Sequence, residues 1–90
     1  MKSIHLVISG LVQGVGFRVW LQRQASAESL HGWVRNGENG TVEAVLSGDR
    51  AAVKRITKLC QIGPPGARVT EVATNRVQPP GEASFRIIAA

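Results

Sequence analysis

One cysteine, no tyrosine, two phenylalanines and two tryptophans are an unusually spare chemical inventory for a chain of 90 residues. A single thiol, Cys60, permits no internal disulfide and no multi-cysteine metal site. It sits in the helical-looking run "AAVKRITKLCQI", where a buried and inert thiol is expected. His5 and His31 lie far apart without metal-ligand spacing and are read as structural or surface residues. The scarcity of aromatics also weighs against an RNA-recognition domain, which stacks bases on exposed rings of its sheet. Phe17, Trp20, Trp33 and Phe85 follow no pattern of that kind, so nucleic-acid binding is not expected.

Long apolar runs are missing as well. None approaches the ~20 residues needed to span a bilayer, so no membrane location is expected. The start, "MKSIHLVISG", has too short an apolar stretch for a secretory signal, and cytoplasmic residence is the expectation. Acidic residues are scarce too: 6 Asp and Glu face 11 Lys and Arg, a formal net charge of +5. Such a balance favours an anionic partner, whether nucleic acid, an acidic protein or a small phosphorylated molecule, and charge alone does not choose among them.

What is present describes a folded domain. A hydrophobic fraction of 43% with 19% charged residues argues against disorder, and the length suits one domain over residues 1–90. So small a domain has a modest core and little room for a large internal cavity, which directs the search for a site to surface loops.

"SIHLVIS", Ser3 to Ser9, alternates Ile4, Leu6 and Ile8 with His5, Val7 and Ser9, the signature of a strand with one buried face. In "FRVWLQRQASAES" the period changes: Phe17, Leu21 and Ala25 recur at i, i+4, i+8, and a helix begins. "HGWVRN" and "TVEAVLSG" flank Gly37-Glu38-Asn39-Gly40, whose glycines and asparagine can supply the positive φ of a hairpin turn. Ser47-Gly48-Asp49 offers capping oxygens to a second helix, which Gly63-Pro64-Pro65-Gly66 must end. "ARVTEVATNRV" reads as a strand that either continues or breaks near Asn75, and "SFRIIAA" reads as a last strand. The order β-α-β-β-α-β predicts an α+β, ferredoxin-like sandwich: one antiparallel sheet of four main strands with two helices on one face.

"GLVQGVGFR", Gly10 to Arg18, packs three glycines into seven residues between the first strand and the first helix. A turn containing Gly14 and Gly16 can aim successive backbone N–H groups into one concavity, with the positive end of a helix behind it. Arg18 adds a planar, permanently charged donor fork suited to a tetrahedral oxyanion. The alternative is a tight connection with Arg18 in water. No Gly-Lys-Ser/Thr follows and no third glycine completes a dinucleotide fingerprint, so two sharper phosphate motifs are excluded. "GWVRN" ends the second strand, and Asn36 faces the anion site if both segments share one rim of the sheet; otherwise it simply starts the hairpin turn.

"GLVQGVGFR" together with Gly32-Trp33-Val34-Arg35-Asn36, followed by "GTVEAVLSG", "GPPGARV" and "SFRII", resembles the acylphosphatase family over nearly the whole chain. The resemblance implies a ferredoxin-like fold, no cofactor, no metal, and hydrolysis of acyl phosphates to a carboxylate and inorganic phosphate. It further implies that Arg18 binds the substrate phosphate, that Asn36 positions the attacking water, and that backbone N–H groups of Gln13, Gly14, Val15, Gly16 and Phe17 complete a phosphate cradle. The implied partners are a small acyl phosphate and inorganic phosphate or a similar anion. The alternative is a non-catalytic, acylphosphatase-like regulatory or partner-binding domain. With no long heptad pattern and no obvious sticky helix face, a monomer is expected.

Overall fold

A computed structural model describes residues 1–89. Five strands and two α-helices follow the chain as β1 (Lys2–Leu11), α1 (Phe17–Ala27), β2 (His31–Asn36), β3 (Val42–Gly48), α2 (Arg50–Cys60), β4 (Arg68–Arg76) and β5 (Phe85–Ile87). The strands form one sheet in the order β4-β1-β3-β2-β5. The expected α+β, ferredoxin-like architecture is the one observed.

The alternation read from β1 fixes which face is covered. Ile4, Leu6 and Ile8 are buried, as are Val42, Ala44 and Leu46 of β3 and Val34 of β2. Against this surface lie Phe17, Leu21 and Ala25 of α1 and Ala52, Val53, Ile56 and Cys60 of α2, completing the core. Asp49 caps α2: its carboxylate accepts a hydrogen bond from the Ala52 N–H at 3.1 Å, satisfying one of the amides that a helix start leaves without a partner. Between β2 and β3, Glu38–Gly40 makes a single 3-10 turn in which Asn39 (φ 57°) and Gly40 (φ 77°) supply the positive φ, whereas Gly37 stays extended at φ −101°.

The sheet differs from the expectation in one respect. β1 pairs antiparallel with both β3 and β4, and β2 antiparallel with β3, but β5 adds to the outer side of β2 in parallel. The sheet is therefore mixed and five-stranded. β4 runs unbroken past Asn75, and the chain then crosses one end of the sheet to reach the opposite edge. Four inter-strand gaps measure ~19 Å, within the roughly 26 Å that segment 77–84 can span when extended. Hydrogen bonds pin both ends of the crossing: Val77 N–H to the Ser3 carbonyl (3.2 Å) and Gly32 N–H to the Ser84 carbonyl (3.1 Å). A strand entering from that end must run in the direction of β2.

Gly10 belongs to the sheet and not to the loop beyond it. It lies where the β1–β4 register shifts, and a Cβ there would run into the Arg68 carbonyl. Its role is the close approach of two strands.

Candidate active site

β1 releases the chain at the sheet rim, and residues 12–16 turn it into α1. Gly14 (φ 76°) and Gly16 (φ 80°) flank Val15, whose φ is negative, so the backbone alternates handedness as an anion-binding nest requires. A Cβ at either glycine would meet no atom within 4 Å; the demand for glycine is conformational and not steric. Among the described residues, the N–H groups of Gly14, Val15 and Gly16 donate to no backbone carbonyl. Those of Phe17 and Arg18 stand in the first turn of α1, where no intrahelical acceptor exists. Main-chain donors are thus gathered, unpaired, at the positive end of a helix.

Phe17 fixes the start of that helix. It is 1% exposed and meets Trp20 edge-on, with ring centroids 5.2 Å apart. Burying Phe17 turns its neighbour Arg18 outward, and Arg18 pairs with no carboxylate among the described residues.

Asn36 ends β2 on the same rim. Val34 faces the helices, so two residues on Asn36 takes the same side of its strand. Val12, Gly14, Gly16, Phe17, Arg18, Val19 and Asn36 line one recess of about 80 Å³. That space holds a group of a few heavy atoms.

Of the residues implicated from sequence, Arg18, Asn36, Gly14, Gly16 and Phe17 meet in this recess. Val15 instead packs its side chain against the core. The Gln13 side chain turns away and donates to the carbonyls of Thr41 (2.8 Å) and Gly37 (3.2 Å) in the β2–β3 turn. That link was missed at the level of sequence; the only cue is a long amide in a loop whose glycines offer no side-chain partner.

A second group of polar residues went unread in the sequence because only the strand register assembles it. On the sheet face away from the helices, the Glu43 carboxylate takes His5 Nε2 at 2.9 Å and Arg35 Nη2 at 3.1 Å. Arg35 lies over Trp33 at 5.2 Å, and His5 meets the same ring at 6.2 Å. Burial alone would raise the Glu43 carboxyl, but the His5 hydrogen bond and the Arg35 guanidinium outweigh it and hold the group below its ordinary range. A wider recess of about 520 Å³ opens beside this network, lined in part by Val7, Arg35, Glu38 and Glu43, and it shares Asn36 with the glycine-loop recess.

Cys60 is fully buried, which pushes its thiol up to about 12 and removes it as a nucleophile. Among the described residues no three His, Cys, Asp or Glu side chains gather in a metal-binding arrangement, and no helix is long and apolar enough to cross a membrane.

The chain as a whole is similar to known proteins. The chain is 47% identical over 85 residues to an acylphosphatase of Acidiphilium cryptum, covering 94% of this chain and 93% of that one. It is 46% identical over 90 residues to an acylphosphatase of Thermococcus kodakarensis, covering 98% and 99%. The crystal structure of acylphosphatase from Bacillus subtilis superposes with a TM-score of 0.93 at 31% identity, over 98% of this chain and 99% of the other. The acylphosphatase family model matches residues 4–87, from the first core residue of β1 to the end of β5. With model, relatives and fold in agreement over nearly its whole length, the chain belongs to the acylphosphatase family.

Proposed function

We propose that this acylphosphatase cleaves the carboxyl–phosphate bond of its substrate by direct in-line attack of a water held by Asn36, with the phosphoryl group held by Arg18 and the backbone amides of the glycine loop. The observation that carries the reading is that Arg18, Asn36 and the loop glycines line one small recess at the sheet rim.

The chemistry asks for few groups. Water oxygen bonds to phosphorus as the bond from phosphorus to the acyl oxygen breaks, giving a carboxylate and inorganic phosphate. The leaving carboxylate is stable as an anion near neutral pH, so no general acid is needed. A carboxylate base beside the phosphoryl group would be repelled by its charge, whereas neutral Asn36 can both accept from and donate to the water. Asn36 cannot keep the water's proton, which passes to a phosphate oxygen. Positioning and charge stabilisation are the terms that dominate phosphoryl transfer, and the loop amides with Arg18 supply both.

In-line geometry also orients the substrate. The acyl group departs on the side of phosphorus opposite the water, hence away from Asn36 and from the wider recess on the open sheet face. The phosphoryl group fills the small recess, and the acyl group lies outside it. A monomer is the proposed working unit, since the chain carries no long heptad pattern and no obvious sticky helix face.

Phosphate release from a simple acyl phosphate tests the reading, with an alkyl phosphate monoester as control. The acyl phosphate alone should be hydrolysed, and folded Asn36→Ala should lose roughly 100-fold or more in kcat, the cost of misplacing a reactant. Near-normal turnover in that variant would remove Asn36 from the water-holding role. A phosphorylated side chain trapped during turnover would exclude direct attack.

A further inference from the structure

Two separate segments make the recess. One is the loop of residues 12–16 with Arg18 behind it; the other is the end of β2 with Asn36. They are far apart in sequence and belong to strands that are not neighbours, since β3 lies between β1 and β2. Something must set the distance between phosphate and water, because in-line attack is sensitive to errors of an ångström.

We infer that Gln13 is the positioning residue that sets this distance, by clamping the phosphate loop to the turn that carries Asn36; the inference rests on the roles proposed for Arg18 and Asn36. The Gln13 amide nitrogen has two protons, and the structure gives it two acceptors: the Thr41 carbonyl at 2.8 Å and the Gly37 carbonyl at 3.2 Å. Gly37 directly follows Asn36, and its own N–H donates to the Thr41 carbonyl at 2.8 Å. The Thr41 hydroxyl and N–H both donate to the Glu38 carbonyl, at 2.7 and 3.2 Å. The turn is therefore a closed hydrogen-bonded unit, and Gln13 holds it from the loop side. Among the described residues, no other side-chain hydrogen bond joins residues 12–16 to the β2–β3 turn. Gln13 is half-buried beside the recess without lining it, so it acts on the reaction through Asn36.

The chemistry at this point is specific to a donor. Both groups facing the amide are carbonyl oxygens. A carboxylate in its place would be repelled by both and would donate again only once protonated.

The experiment measures kcat for an acyl phosphate, the inhibition constant of inorganic phosphate, and folding by circular dichroism for Gln13→Ala, Asn36→Ala and the double variant, and follows Gln13→Glu against pH. Folded Gln13→Ala should lose roughly tenfold or more in kcat while phosphate inhibition stays within about twofold. In the Asn36→Ala background the same change should cost almost nothing further, the non-additivity expected when one residue acts through another. Gln13→Glu should be slow at neutral pH and recover turnover, relative to the native protein, as pH falls toward and through the ordinary carboxyl range near ~4.3. Unchanged kcat in folded Gln13→Ala would overturn the inference. Equal losses in kcat and phosphate affinity would also overturn it, because Gln13 would then shape only the cradle. Should Gln13→Ala not fold, Gln13→Met keeps the length without the donor, and the pH recovery of Gln13→Glu decides alone. Full turnover in Asn36→Ala would instead count against the water-holding role, a result distinguishable from failure of the clamp.

Discussion

Arg18 stands beside main-chain donors that no backbone carbonyl among the described residues claims, and that setting decides what its removal costs. Truncation to alanine would remove the charge-assisted phosphate contact proposed for Arg18, worth ~1.5–3 kcal/mol, or roughly 10- to 100-fold in affinity. Arg18→Ala should therefore weaken phosphate inhibition and turnover together, which steady-state kinetics with phosphate as inhibitor will separate from the turnover-only loss expected at Asn36. Gly16 offers a different probe, because its φ of 80° is paired with open space where a Cβ would stand. Alanine meets no clash there and bears only the left-handed backbone cost, ~1–2 kcal/mol. Gly16→Ala should lower the thermal midpoint by roughly 4–16 °C for a domain of this size. It should also weaken phosphate binding if the backbone relaxes and turns the loop amides out of convergence. Calorimetry with and without phosphate reads both effects.

Three strands meet in the His5–Glu43–Arg35 network, and it gives the sheet a pH dependence whose sign follows from Glu43. The folded carboxyl lies below its ordinary value of 4.5, so the native state favours the charged form. The stabilisation is complete above that ordinary value and is lost as pH falls through the lower, folded value. Native protein should lose its thermal advantage over Glu43→Gln as pH drops from about 6 toward 3, and parallel melts across that range will show whether the gap closes. At this scale the sequence was partly legible. Period two in Ile4-Leu6-Ile8 and period four in Phe17-Leu21-Ala25 declare a strand and a helix because burial enforces them locally. The partner of β5 was not legible, since three short-range residues cannot announce that segment 77–84 crosses the sheet end and delivers them parallel to β2. The site divides in the same way. Arg18 and Asn36 stand in recognisable motifs, while the Gln13 clamp and the Glu43 network exist only through tertiary register, which no local pattern encodes.

For the molecule as a whole, the formal charge of +5 acts at a distance on an anionic substrate. Raising ionic strength from about 0.02 to 0.5 M shortens the screening length from roughly 20 Å to a few ångströms. KM for the acyl phosphate should then rise several-fold while kcat stays nearly constant, because screening weakens attraction to the site more than it alters contacts inside the recess. The placement of β1 has a consequence of another kind. It lies between β3 and β4, so the earliest strand in the chain has neither neighbour when it is made. β4 ends at Arg76, and synthesis at ~5–20 residues per second needs roughly 3–13 s to travel there from Leu11. Until β4 follows, β1 keeps at least one open edge once it has emerged, and its exposure to capture by a neighbouring chain is set by the pace of translation more than by the final stability of the fold.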